Sequence, residues 1–169
     1  MADELPGRVQ GRDAIVINAP VERVWPLIAD TWLLPKWGPP VVSVEVLGPP
    51  GELETVGSRR RVDAKFGNRQ GHYYERRIQH EPNRRMAFQI EEETFGLFRF
   101  LENVGSLIEI EPVGVGRVRV TWSFFHDARG LLGRLMNRLV ILRQQRLNRL
   151  RALASLRAYA EEGRERPAP

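Results

Sequence analysis

Apolar and polar residues change from a strand-like to a helical period near residue 130 of this chain. From residue 41 to residue 126 they mostly alternate, and an alternation of this kind predicts β-strands separated by Gly- and Pro-containing turns. In the 85–92 segment, for example, Met86, Phe88 and Ile90 point to one side and are expected to face inward. Together with a β-branched run near the start, the pattern predicts seven strands, at 14–18, 41–47, 57–66, 70–79, 85–92, 103–111 and 117–126.

Two short helices are predicted between the first and second strands. Pro20 is well tolerated in a first helical turn, and apolar residues follow it at helical spacing. Pro26 lies inside this pattern, so the helix is expected to be short or kinked and to end near Asp30. A second short helical turn is expected at 31–37, before a glycine and two prolines break the chain.

A long helix is predicted over 130–162, after the last strand. About thirty helical residues span roughly 45 Å, and an apolar stripe of that length must be buried against the preceding sheet. A curved antiparallel sheet around one helix makes an α+β domain that encloses a cavity. The stripe expected to face the sheet consists of Leu132, Leu135, Leu139, Leu142, Leu150, Leu153 and Leu156.

The composition fits one globular domain. The 169 residues are 42% hydrophobic and 28% charged, and a single domain is expected over 1–169, with its core at about 12–162 and disordered ends that include 163–169. The absence of cysteine excludes disulfides, thiol nucleophiles and thiolate metal sites. The first ten residues are polar, and no long apolar run suited to crossing a membrane occurs, so a soluble cytoplasmic protein is expected.

Arginine supplies nearly all of the positive charge in a chain of net charge +5. Many of the arginines lie in the long helix or directly before it, in a stretch without Asp or Glu, where they form either a solvated outer stripe or a surface that attracts anionic lipid headgroups. Nucleic acid is not expected as a partner, since no exposed strand interleaves basic and aromatic residues. These arginines are Arg129, Arg134, Arg138, Arg143, Arg146, Arg149, Arg151 and Arg157.

Several packing and turn motifs follow one another in a specific order: NAPVERVW at 18–25, Trp37, ERRIQHEPNRR at 75–85, a turn EIEP at 109–112, VTW at 120–122 and GLLG at 130–133. Over 12–162 the chain resembles the START-like (SRPBCC) superfamily, and within it the polyketide cyclase/dehydrase and lipid-transport branch. The resemblance implies a helix-grip fold, in which a seven-stranded antiparallel sheet surrounds a long C-terminal helix and leaves a deep cavity. It does not fix the function, because members include cyclases, hydrolases, hormone binders and lipid carriers.

Strand alternation predicts which side chains line the cavity. If the large apolar residues face inward, Arg60 and Arg76 do so as well, and a charge in an apolar interior must meet a carboxylate, water or a ligand. These two arginines are therefore the predicted polar anchors, unless they reach solvent at the rim of the sheet. Four aromatic residues in or beside loops are expected at the mouth: Trp32, Trp37, Phe95 and Phe98. The predicted ligand-binding residues are Trp37, Arg60, Tyr74, Arg76, Phe88, Phe95, Phe98, Ser106, Trp122 and Phe124.

Two histidines are the candidate acid or base. His72 and His126 share the predicted inward phase, and an imidazole titrates near neutrality, so either could move a proton on a bound enol or carbonyl. The simpler alternative is that backbone groups satisfy both rings. No histidine spacing matches a metal site, and the Gly-Val-Gly at 114–116 is a turn, so neither a metal nor another cofactor is expected.

The residues and the resemblance together predict a carrier or sensor that binds a hydrophobic or aromatic small molecule in an internal cavity. A lipid, an isoprenoid or a polyketide-like molecule would fit this description. The first alternative is a polyketide cyclase/dehydrase-like enzyme that uses a cavity histidine, and the second is a membrane-surface lipid-binding adaptor that uses the basic helix. Both a monomer and a homodimer are compatible with the sequence.

Overall fold

The computed structural model of the chain describes residues 5–49 and 55–162. The expected disordered tail at 163–169 and part of the turn after residue 47 lie outside these residues. The strands are β1 (Val9–Ile17), β2 (Val41–Leu47), β3 (Arg59–Phe66), β4 (Arg69–Glu81), β5 (Arg85–Glu93), β6 (Leu101–Gly114) and β7 (Arg117–Ala128). The helices are α1 (Val21–Ala29), α2 (Leu34–Trp37), α3 (Gly130–Met136) and α4 (Leu142–Glu162), with 3₁₀ turns at Thr31–Leu33 and Leu97–Arg99 and a π-helical segment at Asn137–Ile141.

The seven strands form one antiparallel sheet in the order β1-β7-β6-β5-β4-β3-β2. Apart from β1 and β7, each neighbouring pair is consecutive in the chain, so short reversals build most of the sheet. The predicted fold is thereby confirmed: an α+β domain with a seven-stranded curved antiparallel sheet and a long C-terminal helix. The turn expected at 109–112 is wrong, because β6 continues through Pro112, which lies opposite Val118.

The main hydrophobic core lies between one face of the sheet and the helices, and this face is called the inner face below. Trp37 of α2 and Leu156 of α4 pack there against strand residues such as Val62 and Val120. A smaller cluster lies under the first half of the C-terminal helix, where Ile141 meets residues of β6. The helices are therefore held on the inner face along most of its length.

The C-terminal helix runs without a break from Gly130 to Glu162, but its predicted buried stripe is only half right. Leu153 and Leu156 are buried, Leu142 is half-buried, and Leu132, Leu135, Leu139 and Leu150 are exposed. The first half of the helix has apolar residues on two faces, so its periodicity does not decide which face is buried. The residues that face the sheet are instead Gly133, Asn137, Ile141, Arg149, Ala152, Leu153, Leu156 and Ala160.

The sheet opens between β5 and β6. The ladder joining them ends at the pair Gln89 and Gly105, although β5 continues to Glu93 and β6 already begins at Leu101. Beyond this point the two strands diverge, and the loop containing the 3₁₀ turn Leu97–Arg99 connects them. The divergence leaves a gap in an otherwise continuous sheet.

Candidate functional site

A buried ion pair lies on the inner face, between β3 and β4. Arg60 of β3 donates from Nε to Oε1 of Glu75 on β4 at 2.5 Å and from Nη1 to Oγ1 of Thr31 at 2.9 Å. Its guanidinium lies 3.9 Å from the ring centroid of Phe88 on β5. A buried arginine needs such a set of partners, because an uncompensated charge away from water is costly. Arg60 is thus inside the fold, as the alternation predicts, and a carboxylate of the protein neutralises it.

Two further polar residues of β4 complete this cluster. Arg77 is almost fully buried, with its guanidinium 5.1 Å from the Phe88 centroid and Nη1 3.4 Å from Nδ1 of His80. Burial and the neighbouring Glu75 raise the pKa of Tyr73 well above its ordinary value, so the phenol stays protonated and can donate a hydrogen bond. The cavity beside Arg77 and Phe88 measures about 10 Å³, which is about the least space that can hold one water. This cluster is therefore a closed structural element.

An aromatic group lies on the inner face beside the cluster. The indole of Trp37 donates from Nε1 to the carbonyl of Leu27 at 2.7 Å. Its ring meets that of Trp122 edge-on, with the ring centroids 5.9 Å apart. Trp122 in turn stacks with Phe124, with the ring centroids 6.0 Å apart. The guanidinium of Arg149 on α4 lies 5.6 Å from the centroid of the Phe124 ring. These contacts show that both β7 rings point towards the helices.

Part of this aromatic group is accessible to solvent. Trp122, Phe124 and the neighbouring Ser106 are only half-buried, although Phe88 next to them is buried. Ser106 lies opposite both Phe88 and Phe124 in the strand registers and therefore shares their face. Nε1 of Trp122 is buried and has no hydrogen-bond partner among the described residues. A buried indole N–H normally has an acceptor, so this site lacks one.

The predicted inward phase is wrong for most of β4. Glu75 and Arg77 face the inner side, so the intervening Arg76 lies on the outer face, where its Nε bonds to Glu91 at 2.8 Å. Tyr74 and His72 follow the same phase as Arg76 and make an edge contact with each other at 5.5 Å. The register with β5 shifts between Arg77 and Gln79, so Ile78 does not follow the alternation and does not indicate which side faces inward.

His80 lies on the inner side after this irregularity. It lies opposite Met86, and its ring stacks on Trp25 of α1 with the centroids 5.9 Å apart. Sequence reasoning missed Tyr73, Glu75 and Arg77 as inner residues. Glu75 and Arg77 themselves form a period-two pair, which is the signal that could have indicated a polar inner side for this strand.

An open groove of about 670 Å³ lies at the gap between β5 and β6. Ile90 and Phe98 supply its apolar surface, and Arg59 and Arg76 line one side, where both bind Glu91 at 2.7 and 2.8 Å. On another side Arg129 pairs with Glu102 at 3.2 Å. Opposite charges thus neutralise each other around the groove. Two of the predicted ligand-binding residues, Phe98 and Arg76, thus line this groove and are separate from the aromatic group on β7.

The loop aromatics do not form the common mouth that the sequence predicts. Trp37 is buried against α1 and Trp122 and is wrong as a mouth residue, because its indole is needed to join α1 to α2. Trp32 is 56% exposed. Phe95 packs edge-on against Phe66 with the ring centroids 5.0 Å apart, beside the turn between β3 and β4.

The two candidate histidines lie on opposite sides of the sheet. His126 is fully buried on β7, and its Nε2 lies 2.8 Å from Oδ1 of Asn137 in the π-helical segment. Burial lowers the pKa of His126, against smaller opposing effects of Asn137 and Asp127. Nδ1 of His126 has no partner among the described residues. His72 lies three strands away, so the two rings do not act on one substrate atom.

The described residues contain no group of three or more His, Cys, Asp or Glu side chains placed to hold a metal ion. Over the same part of the chain, no helix has the length and apolar character needed to cross a membrane.

The antiparallel sheet, the long helix packed on it and the two short helices together define a START-like helix-grip fold. The chain belongs to the family described as polyketide cyclase/dehydrase and lipid transport, whose model matches residues 8–161. Comparison with curated protein sequences gives no match.

Solved structures of similar fold come from several bacteria. A protein from Nitrosospira multiformis is 19% identical with a TM-score of 0.70, covering 90% of this chain and 97% of its own. The Zhui aromatase/cyclase from Streptomyces sp. R1128 is 17% identical with a TM-score of 0.68, covering 89% and 92%. A START superfamily protein from Mycobacterium smegmatis is 12% identical with a TM-score of 0.69, covering 90% and 97%. At these identities the likeness shows the fold alone.

Proposed function

We propose that this protein is a carrier or sensor that binds an oxygenated aromatic or apolar small molecule against Trp122, Phe124 and Ser106. One observation carries the proposal: the buried Nε1 of Trp122 has no acceptor among the described residues, on a part of the inner face that solvent reaches. A core residue in this position would have its N–H satisfied by the protein. A ligand oxygen is the partner that this donor lacks.

The neighbouring side chains favour a ligand with a flat apolar body and a carbonyl or phenol oxygen. The stacked rings of Trp122 and Phe124 offer an aromatic surface, and the Ser106 hydroxyl donates or accepts beside them. A polyketide-like aromatic molecule combines these features, and an isoprenoid quinone or a lipid with a carbonyl end shares them in part. The family description, which includes both polyketide chemistry and lipid transport, supports the same range.

The buried charged residues of the inner face favour binding without catalysis, because they contact one another. Arg60 and Glu75 neutralise each other, and Arg77 lies within the same closed cluster. These residues hold the inner face in shape, and the cavity beside them, at about 10 Å³, is too small for a substrate. A carrier needs only a shaped surface and an entrance, whereas an enzyme needs an acid or base within reach of its substrate.

A panel titration tests this proposal. We expect a hydroxyanthraquinone to quench the intrinsic tryptophan fluorescence saturably, and a matched anthracene without oxygen substituents to bind more weakly. Trp122→Phe removes the donor but keeps a ring, and it should weaken binding about 3- to 10-fold, the value of one hydrogen bond. The matched control is Arg76→Gln, which lies in the outer groove and should leave the affinity unchanged.

Two results would contradict the proposal. The first is the absence of saturable binding of any panel member, measured by calorimetry as well as by fluorescence. The second is weaker binding in Arg76→Gln with full binding in Trp122→Phe, which would place the ligand in the groove between β5 and β6.

A specific observation favours one second candidate, a cyclase/dehydrase-like enzyme with His126 as its base. Asn137 orients the ring through Nε2, which leaves the Nδ1 lone pair buried and without a partner. A lowered pKa keeps that lone pair available at neutral pH. If a substrate is found, His126→Gln should abolish its turnover while His72→Gln retains it, and equal rates in all three proteins would exclude this candidate.

A further inference from the structure

The exposed leucines of the C-terminal helix form a continuous outer line, here called the outer seam. It consists of Leu132, Leu135, Leu139, Arg143, Leu147 and Leu150, which follow one another at spacings of three and four residues. Residues at such spacings lie above one another on one side of a helix. Its five leucines are 41% to 63% exposed.

The outer seam lies opposite the buried side of the same helix. Gly133, Asn137 and Ile141 face the sheet, so the leucines between them point away from it. Leu131 and Val140, which are 81% and 51% exposed, widen the apolar surface on the same half. A soluble protein seldom exposes so many large apolar residues on one element, and a surface of this kind marks an interaction site.

Positive charge surrounds the outer seam. Arg138 and Arg146 lie beside it, Arg143 lies within it, and no Asp or Glu occurs between Asp127 and Glu161. Within the described part of the chain, Arg146 reaches Asp13 at 3.6 Å, whereas Arg138 and Arg143 make no ion pair. The seam therefore combines apolar contact area with uncompensated guanidinium groups.

This charge distinguishes between the possible occupants. A second copy of the chain docked on the same seam would bring Arg143 and its neighbours against identical arginines, with no carboxylate of the seam to separate them. The surface of an anionic bilayer accepts both parts of the seam, because leucines enter the region between headgroups and acyl chains while arginines bind phosphates. From Leu132 to Leu150 the helix offers a contact about 30 Å long.

We propose that the outer seam docks this protein on anionic lipid membranes, with the helix lying in the plane of the surface. The docking is peripheral: the helix lies on the bilayer, and the sheet remains in water. It is independent of the small-molecule site, which lies on the other side of the helix, so either can fail without the other.

Vesicle sedimentation tests the docking. We expect the protein to sediment with mixed phosphatidylcholine and phosphatidylglycerol vesicles at low salt, less at high salt, and not with phosphatidylcholine alone. Arg138→Gln combined with Arg143→Gln should weaken binding about 30-fold, at about 1 kcal/mol for each basic residue. Leu135→Ser combined with Leu139→Ser should reduce it to background.

The matched control is Val115→Ser combined with Arg117→Gln. It removes one exposed apolar residue and one arginine at the turn between β6 and β7, away from the helix, and should bind as the unchanged protein does. All altered positions are exposed, so each variant should keep the melting temperature of the unchanged protein. A variant that lost its fold would be recognised by that measurement.

The absence of cysteine allows a single reporter to be placed in the outer seam. Leu139→Cys labelled with an environment-sensitive dye should shift to shorter emission wavelengths with anionic vesicles, while labelled Val115→Cys should not. The proposal is overturned if no binding occurs at low salt, or if both labels respond alike. It is also overturned if light scattering shows a dimer that Leu135→Ser and Leu139→Ser dissociate, which would assign the seam to self-association.

Discussion

Nε of Arg149 lies 2.8 Å from Oδ2 of Asp13, and this ion pair joins the C-terminal helix to the first strand of the sheet. Both side chains are largely buried, at 4% and 12% exposure. Their positions are 136 residues apart in the chain, so the contact forms only when the helix closes over the sheet. Arg149 also lies over Phe124, which connects this closure to the proposed ligand surface.

Asp13→Asn should strongly destabilise the fold. The change leaves the buried Arg149 guanidinium without its carboxylate, and such a loss costs about 3 kcal/mol or more of unfolding free energy. Urea denaturation followed by circular dichroism measures it. The control is Glu109→Gln, which removes the partner of Arg12 in an exposed pair at 3.9 Å and should cost less than about 1 kcal/mol. Equal losses in both variants would contradict a role of burial.

The Arg60 and Glu75 pair should show strong coupling in a double-mutant cycle. Glu75→Leu alone should cost about 3 kcal/mol, because Arg60 then lacks a charge partner inside the fold. Arg60→Met combined with Glu75→Leu should recover most of that loss, since two apolar residues remove both charges. The exposed pair of Arg119 and Glu111 gives the reference cycle, with a coupling below about 1 kcal/mol. Additive losses at the buried pair would be the contrary result.

His126 should make the fold less stable in mild acid. Its pKa in the folded protein lies below the ordinary value of 6.5, so the unfolded chain binds more protons between the two values. The contribution of neutral His126 to the unfolding free energy should therefore be fully present above a pH of about 7. It should decline as the pH falls through about 6.5. Urea denaturation across this range checks the decline, which His126→Gln should reduce.

Two comparisons isolate the effect of His126. His72→Gln on the outer face should keep the decline of the unchanged protein. The pKa of Glu81 is lowered chiefly by its hydrogen bond with Arg85, and its effect on stability falls only below a pH of about 4.5, outside the window of His126. A decline that persists unchanged in His126→Gln would show that another group titrates there.

Gly133→Ala should loosen the first half of the C-terminal helix. A Cβ atom at this position would clash with the carbonyl oxygen of Phe100, so the helix would have to move away from the segment that leads into β6. We expect a loss of about 1 to 3 kcal/mol, although alanine is the better helix former. Leu132→Ala, one residue away on the exposed side, should change stability by less than about 0.5 kcal/mol. Thermal melts compare the two variants.

Local patterns of the chain were sufficient for the elements and the fold class. The alternation around Phe88 and the helical spacing after Pro20 each depend on neighbouring residues, and the observed β5 and α1 agree with them. The ends of strands were less accurate, because the last pairs of a ladder depend on the partner strand. β6, for example, extends beyond its predicted end and continues through Pro112.

The facing of β4 was decided by its neighbours in space. Strand residues that face a core are normally apolar, but β4 has charged residues on its inner side. It is stable here because Glu75 pairs with Arg60 and because Phe88 lies under Arg77. Those partners come from two other strands, so the sequence of β4 alone gives no sign of them. Tyr74, Arg76 and His72 were assigned to the wrong face for this reason.

The amino-acid sequence by itself determined the order of strands and helices, the single long helix and the absence of thiol chemistry, because periodicity and composition act over a few neighbouring residues. Only the tertiary structure decided which of two leucine faces is buried, which arginine lies inside and which polar atoms lack partners. Those outcomes depend on contacts between residues far apart in the chain. Leu132 and Leu153 belong to one predicted stripe, but only Leu153 meets the sheet.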